Sequence, residues 1–223
     1  MQNIFFDTRI LDKKSREKFY LTEELMMENA AQELESCVMP HVFHESSRYI
    51  NRPCVLILAG RGNNGADGYA LARRLSCHDF CVAVCCIGEP SSEIAKVQKK
   101  RAELLGVSFI SPYDLDSFAE EKSFDISVVV DCVYGSGFHL PLDAESEAVI
   151  QSANKIEAFK VSCDVPSGLD SDGNGKIVFR ADETVAMGAL KLSLFSDKAK
   201  DFCGKVKVCN LGISRNNFEF LET

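Results

Sequence analysis

The chain has 223 residues, of which 46% are hydrophobic and 26% are charged, a composition that excludes a wholly disordered protein. Lysine and arginine total 25 against 33 acids, so the net charge of −8 gives no bulk attraction for nucleic acid. No apolar run reaches the roughly 18 residues of a membrane span, and the N-terminus has no signal-peptide pattern. We expect a cytoplasmic protein with no membrane and no nucleic-acid partner.

The first fifty residues are predicted to be helical. Thr22 is a candidate N-cap, and the two glutamates that follow it favour the first turn of a helix. Apolar residues then recur at helical spacing from Leu25 to Val38. We expect one domain over residues 1–223, in which residues 1–50 form a helical extension and residues 51–223 form the core.

From Pro53 onward, short apolar runs alternate with amphipathic segments. The predicted strands are Cys54–Ala59, Cys81–Ile87, Val107–Ile110, Ile126–Val130, Phe159–Cys163, Glu183–Met187 and Lys205–Asn210. The predicted helices between them are Gly65–Ser76, with Arg73 and Arg74 exposed, Glu93–Leu105 and Glu145–Ala158. This alternation predicts an α/β fold, a three-layer sandwich with a mostly parallel sheet.

Ten cysteines is a high number, but no C-x-x-C pair occurs, so the usual zinc and redox spacings are absent. Most of the cysteines lie in apolar runs, and we interpret them as small buried hydrophobic residues in a reducing compartment. His41 and His44 form an H-x-x-H pair, which a helical turn or a surface explains better than a metal does.

A glycine-rich loop, GRGNNGADG over residues 60–68, carries the strongest chemical signal. It follows a predicted buried strand and opens a helix, so its N-terminal N–H groups are available to a phosphate. The G-x-G-x-x-G spacing alone is weak, because an ordinary strand-to-helix turn also needs glycine. Asn63, Asn64 and Asp67 make the loop more specific, since their oxygens can orient a ligand or hold a hard cation.

Two further loops follow predicted strands and begin with an acid. Asp131 precedes a Gly-Ser-Gly turn, and Asp164 precedes a rigid Pro-Ser-Gly turn that contains Ser167. Either acid could instead simply cap its turn. The carboxyl ends of parallel strands share one edge of a sheet, so these residues and Asn64 are expected to converge in a ligand crevice. Two nearby carboxylates there would raise the proton affinity of one, which then becomes a candidate proton shuttle.

The three loops, in this order, resemble the YjeF N-terminal domain family, the NAD(P)H-hydrate epimerases. The resemblance rests on GNNGADG, VVDCVYGSG, DVPSGLDSDGNG and ADETVAMGALK, together with MENAA and NLGI, and it covers nearly the whole chain. It implies a Rossmann-like fold, usually a homodimer, that interconverts the R and S hydrates of NADH and NADPH. A separate S-specific dehydratase, fused C-terminally in many bacteria, would restore the cofactor. The chain is then either a stand-alone protein or one domain of a bifunctional one.

The resemblance also implies roles for individual residues. A potassium ion is implied on Asn64, Asp131 and Ser167, all oxygen donors. Asp164 is the candidate catalytic acid/base at the hydrated carbon. Lys191 is either a positive charge beside the site or a solvated lysine. The implied substrate contacts are Asn63, Asn64, Gly65, Ala66, Asp67, Gly135, Ser136, Gly137, Phe138, His139, Leu140, Pro141 and Asp164.

Two positions depart from the family pattern. Ala66 stands where the family more often has glycine, and its methyl group would clash if the backbone φ there were positive. The loop over residues 135–141 lacks a basic residue often found in it, and His139 is either its substitute or a solvent-facing side chain.

Two rival functions follow from the same residues. In an NAD-dependent dehydrogenase the glycine loop would hold a pyrophosphate and Glu89 a ribose, but the acids of the other two loops would go unexplained. The second rival is a non-catalytic dimeric module that binds a nucleotide or serves as a scaffold. Such a module is expected to lose the polar site residues, which this chain retains.

Overall fold

The computed structural model of the protein describes residues 4–5, 9–42 and 51–213. Its strands, in chain order, are β1 (Ile4–Phe5), β2 (Arg52–Ala59), β3 (Cys81–Cys86), β4 (Ser108–Ile110), β5 (Phe124–Cys132), β6 (Phe159–Cys163), β7 (Glu183–Met187), β8 (Leu190–Lys191) and β9 (Lys205–Cys209). Strands β1 and β8 pair in a small parallel sheet of their own. The other seven form the central sheet in the order β4-β3-β2-β5-β6-β7-β9.

All neighbouring strands of the central sheet run parallel. The chain builds outward from β2 to β3 and β4, and then returns to place β5 on the other side of β2. In an open parallel sheet, such a reversal of strand order leaves a crevice at the carboxyl ends of the two central strands. The sheet therefore offers a ligand site between the ends of β2 and β5.

Helices cover both faces of the sheet. They are α1 (Arg9–Phe19), α2 (Glu23–Val42), α3 (Asn63–Leu75), α4 (Glu93–Leu104), α5 (Leu115–Ala119), α6 (Ala144–Lys155) and α7 (Lys200–Cys203), with two 3₁₀ helices at Pro112–Asp114 and Leu192–Phe195. Val55 and Ile57 of β2 pack in a core with α2, α3 and α4. Leu56 and Leu58 pack on the opposite face with α5 and α6. This alternation confirms the predicted three-layer α/β sandwich.

The element bounds agree with the sequence prediction for β6 and β7 and differ elsewhere. Helix α3 begins at Asn63 rather than at Gly65, and β5 continues through Asp131 to Cys132 instead of ending at Val130. The short elements β1, β8, α5 and α7 were not predicted, because segments of two to five residues carry too little periodicity.

Helix α2 is part of the main core, into which Ala31, Leu34 and Val38 are fully buried. The predicted cap is confirmed, since the N–H of Leu25 donates to Oγ1 of Thr22 at 3.2 Å. The apolar stripe was predicted to begin at Leu25, but that side chain is 47% exposed. The stripe begins at Met26 instead, because Leu25 faces away from the sheet.

Ion pairs join α2 to α3. Arg73 and Arg74 were predicted to be exposed, but both are half-buried. Arg73 binds Glu28 at 2.5 Å, and Arg74 binds Glu35 at 2.7 Å. The guanidinium groups therefore lie along the helix pair rather than in free solvent.

Most of the cysteines are buried, as predicted, and those that are not are Cys77, Cys81 and Cys86. His41, at the end of α2, stacks on the ring of Phe159 with the ring centroids 3.4 Å apart. His44 lies outside the described residues. None of the described helices is long and apolar enough to cross a membrane.

Candidate active site

A cavity of about 790 Å³ opens at the carboxyl edge of the sheet, between the loops that follow β2 and β5. A volume in this range accommodates a cofactor-sized ligand. Of the sequence-predicted substrate contacts, the residues that line it are Asn63, Asn64, Asp67, Gly135, Ser136, Gly137, Phe138, His139 and Asp164. The residues that do not line it are Gly65, Ala66, Leu140 and Pro141.

The glycine loop is shaped by two close backbone approaches. A Cβ atom on Gly60 would lie 2.1 Å from the carbonyl oxygen of Val133, and one on Gly65 would lie 1.9 Å from that of Gly60. Gly62 is the N-cap of α3, and no side chain caps this helix end. Ala66 is buried inside α3 without a positive φ, so the expected clash of its methyl group does not arise.

The carboxylate of Asp164 is fixed by donors on both oxygens. Its Oδ2 accepts the N–H of Ser136 at 2.8 Å, and its Oδ1 accepts the N–H of Met187 at 3.1 Å and the ammonium of Lys191. Burial alone would raise the pKa of Asp164, but the charge of Lys191 and these hydrogen bonds outweigh it and lower the pKa below its ordinary value. Asp164 has a φ of 72°, a left-handed conformation that few residues other than Gly, Asn and Asp adopt.

Lys191 is 1% exposed, which decides between the two sequence-based alternatives. It is not a solvated lysine, and its ammonium lies beside the site. Besides Asp164, it donates to the carbonyl oxygen of Met187. The two-residue strand β8 that carries it pairs with β1, so the N-terminal strand supports the position of this lysine. A buried ammonium of this kind is stabilised by its carboxylate partner.

Asp67 lies one turn into α3 and shares the cavity with Asp164. Its Oδ2 accepts a hydrogen bond from the thiol of Cys163 at 3.9 Å. Burial raises the pKa of Asp67 well above its ordinary value, and the negative charges of Asp164 and Asp12 raise it further. The sequence suggested mutual repulsion between Asp131 and Asp164. In the structure, the carboxyl group whose pKa is raised by the charge of Asp164 is that of Asp67.

Asp131 and Ser167 form a second, fully buried polar cluster. Oδ1 of Asp131 accepts the hydroxyl of Ser167 at 2.6 Å, and Oδ2 accepts the N–H of Ser167 at 2.8 Å. The N–H of Val133 and the hydroxyl of Ser162 complete the set, so all these donors are neutral. Burial, only partly offset by these hydrogen bonds, raises the pKa of Asp131 to about 6. A cation beside this carboxylate would lower its pKa again.

Asn64 is the third residue of the implied cation site. Its Nδ2 is buried without a hydrogen-bond partner. Because the two ends of an amide are distinguished only by their partners, a rotated amide would present its oxygen there instead. Gly135 separates this amide from Asp164, since a Cβ on Gly135 would lie 2.8 Å from Oδ2 of Asp164 and 3.4 Å from Oδ1 of Asn64. Oxygen donors and an orphaned amide fit a hard cation.

Comparison with known proteins identifies the family. Residues 23–193 match the family described as YjeF-related protein N-terminus. This chain belongs to that family. A bifunctional NAD(P)H-hydrate repair enzyme, Nnr, of Helicobacter pylori is 37% identical over 220 residues, which cover 98% of this chain and 44% of that protein. An NAD(P)H-hydrate epimerase of Oenococcus oeni is 36% identical over 173 residues, which cover 75% of this chain and 78% of that protein.

The chain therefore spans less than half of the H. pylori member of the YjeF N-terminal family, and a larger share of the O. oeni member. The solved structure of yeast ynu0, YNL200c, aligns with a TM-score of 0.79 over 97% of this chain and 90% of that chain. The sequence identity in this alignment is 18%, so the likeness concerns the fold.

Sequence reasoning missed several charged residues of this YjeF N-terminal domain that line the mouth of the cavity. Asp12 and Arg16 come from α1, and Glu23 comes from α2 and pairs with Arg16. Arg61 lies within the glycine loop itself, and its guanidinium covers the backbone of Gly88. Only Arg61 could have been found from the motif. The exposed His139 also lines the cavity, so the mouth has basic groups although the loop over residues 135–141 lacks Lys and Arg.

Proposed function

We propose that the chain is an NAD(P)H-hydrate epimerase that interconverts the R and S hydrates of NADH and NADPH. The observation that carries this proposal is the pair of carboxyl groups, Asp67 and Asp164, which share one cofactor-sized cavity and differ in proton affinity. Family membership and relatives named for NAD(P)H-hydrate repair and epimerisation support it. The polar site residues also argue against a non-catalytic scaffold.

Asp164 is the proposed acid/base at the hydrated ring carbon. Epimerisation must break and remake a bond at that carbon, through a ring-opened or a dehydrated intermediate. A group that accepts a proton and later returns it serves both halves of such a reaction. The N–H groups of Ser136 and Met187 and the ammonium of Lys191 orient the carboxylate of Asp164 before the substrate arrives.

We also propose a potassium ion held by Asn64, Asp131 and Ser167. The support for it is chemical, since all three offer oxygen and the buried carboxylate of Asp131 has only neutral donors around it. The bound ion would supply a fixed positive charge. It would also hold the glycine loop and the loops after β5 and β6 in fixed positions relative to one another. The proton transfers of the reaction depend on the side chains of the protein.

The nicotinamide end of the hydrate is proposed to contact Asn63, Asn64, Asp67 and the backbone of residues 135–139 beside Asp164. Gly65, Ala66, Leu140 and Pro141 would act indirectly, by fixing the shape of the two loops. We further propose that residues 1–223 form a single domain and that the protein acts as a homodimer in the cytoplasm. It would pass the S hydrate to an S-specific dehydratase. The bifunctional NAD(P)H-hydrate repair enzyme of H. pylori is consistent with such coupling.

Chiral turnover tests the proposal. The purified chain is incubated with the pure R hydrate of NADH, an excess of S-specific dehydratase and potassium chloride, and the return of NADH absorbance is followed. We expect recovery well above the spontaneous rate, equal recovery for the exposed-carboxylate control Asp197→Asn, and only the spontaneous rate for Asp164→Asn. Hydrate binding without acceleration would favour the nucleotide-binding or scaffold alternative, and hydride transfer with NAD(P) would favour a dehydrogenase.

A further inference from the structure

We propose that Asp67 is a second catalytic residue, the acid that protonates the ring nitrogen while Asp164 acts as the base on the hydroxyl group. The inference rests on the proposed epimerase function and adds to it. The site would then work as a pair of carboxyl groups that share one proton. One group enters the reaction protonated and the other ionised, as simultaneous acid and base catalysis requires.

The two carboxyl groups have contrasting surroundings. Asp164 has two backbone N–H groups and a buried ammonium as donors. Asp67 has the thiol of Cys163, and a thiol is a weak donor that stabilises a carboxylate little. Cys163 also lies beside the fully buried Cys132. The sulfur atoms form a weakly polar environment on one side of the Asp67 carboxyl group, and this environment disfavours its ionised form.

Charged groups approach Asp67 from two neighbouring parts of the structure. Asp164, at the end of β6, and Asp12, on α1, both add negative charge. Among the described residues, no lysine or arginine forms an ion pair with Asp67. The cations at the cavity are engaged elsewhere: Lys191 with Asp164, Arg16 with Glu23, and Arg61 near Glu145 at 4.0 Å. The pKa of Asp67 is accordingly raised while that of Asp164 is lowered.

The proton transfers balance for a ring-opening step. Asp164 removes the proton of the hydroxyl group, and the freed electron pair forms the C=O bond of an aldehyde. The C–N bond breaks, its electrons pass to the ring nitrogen, and Asp67 donates its proton to that nitrogen. After rotation about the adjoining C–C bond, both transfers reverse and the ring closes on the other face. The carbon undergoes no net redox change, and both carboxyl groups return to their starting states.

Two variants separate this role from a structural one. Asp67→Asn keeps the shape of the side chain but cannot donate a carboxyl proton, and Asp67→Glu restores the carboxyl group. We expect Asp67→Asn to lower kcat by about 100-fold or more, with KM changed less than about threefold. We expect Asp67→Glu to recover part of the rate. The wild-type rate should fall at alkaline pH as Asp67 ionises, and Asp67→Asn should lose that alkaline limb.

A second readout does not depend on turnover. In ¹³C-aspartate-labelled protein at pH 7, the carboxyl signal that disappears in Asp67→Asn should have the chemical shift of a protonated acid. A chemical shift typical of a carboxylate would overturn the inference. If Asp67→Asn does not fold, the signal that disappears in Asp67→Glu identifies Asp67 in the same way. An active wild type with an equally active Asp67→Asn overturns this inference alone. A folded wild type without turnover overturns the epimerase proposal, and this inference with it.

Discussion

The ammonium group of Lys191 is buried against the carboxylate of Asp164, which lines the cavity. The lysine helps to keep this buried acid ionised, because its charge and the hydrogen bonds to Asp164 together outweigh the effect of burial on the pKa. The pair also ties the catalytic proposal to the stability of the fold. Removing one member leaves the other as an uncompensated buried charge.

Asp164→Asn is expected to abolish epimerisation and also to destabilise the protein. Lys191 would keep its charge without a carboxylate partner, at a cost of about 3–5 kcal/mol in the free energy of unfolding. Urea denaturation measures this. Adding Lys191→Met should restore most of the lost stability without restoring activity. If the double variant is as unstable as Asp164→Asn, the buried charge is not the cause.

Lys191→Met alone should change the response to acid. The lowered pKa of Asp164 stabilises the folded state above the ordinary aspartate pKa of about 3.9, and this contribution is lost as the pH falls through the lower folded value. In Lys191→Met the pKa of Asp164 rises, so this loss starts at a higher pH. The acid limb of the rate profile should move upward with it. An acid limb unchanged from that of the wild type would contradict the assignment of Asp164.

Asp67→Asn should become more stable relative to the wild type as the pH rises. The raised pKa of Asp67 means that the folded state binds this proton more tightly than the unfolded state. Its contribution is full below about pH 4 and is lost as the pH rises through the folded value, by about 1.4 kcal/mol per pH unit. Urea denaturation of both proteins from pH 4 to 8 measures the difference. A difference that does not vary with pH would show that Asp67 is not perturbed.

Gly135→Ala should damage the site by steric contact. The added Cβ would lie 2.8 Å from Oδ2 of Asp164, so that carboxylate must move. A displacement near 1 Å lowers kcat/KM by about 100-fold. Gly62→Ala is the steric control, since a Cβ there meets nothing within 4 Å and the backbone φ is −93°. It should keep the wild-type free energy of unfolding within about 0.5 kcal/mol. Equal losses of activity in both variants would argue against a specific role for Gly135.

Potassium should stabilise the protein through Asp131. A ligand that binds only the folded state raises Tm with its concentration. We expect Tm to rise with potassium chloride more than with choline chloride at equal ionic strength. The difference should disappear in Asp131→Asn and shrink in Ser167→Ala. The same rise in both salts, or in Asp131→Asn, would rule out a cation site on these residues.

The sequence was sufficient to predict the α/β sandwich and the edge of the sheet that holds the cavity. Apolar runs followed by Gly60, Asp131 or Asp164 mark strand ends, and parallel strands bring such ends together. The helix register was less accurate. Asn63 and Asn64 were placed in the glycine-rich loop, before a helix predicted to begin at Gly65, but they form the first turn of α3.

The pairing of charges could not be predicted. Lysine is usually exposed, so nothing in the sequence around Lys191 signals burial. The choice between Asp67 and Asp131 as the neighbour of Asp164 depends on which face of the sheet each side chain occupies. Asp131 lies on the same side of the sheet as Val129 and Val133, which pack against α6, whereas Asp67 extends from α3 on the other side. Such a difference is set by the tertiary structure.

The left-handed backbone at Asp164 restricts which amino acids can evolve at this position. Glycine, asparagine and aspartate enter that conformation at low cost, and of these only aspartate has a carboxylate. Glutamate, the usual conservative replacement, would keep the negative charge, but its backbone rarely adopts this positive φ. Lineages that drift away from aspartate here would therefore pass directly to asparagine or glycine, which keep this backbone conformation but lose the base. Inactive relatives should therefore be recognisable from an asparagine or a glycine at the position of Asp164.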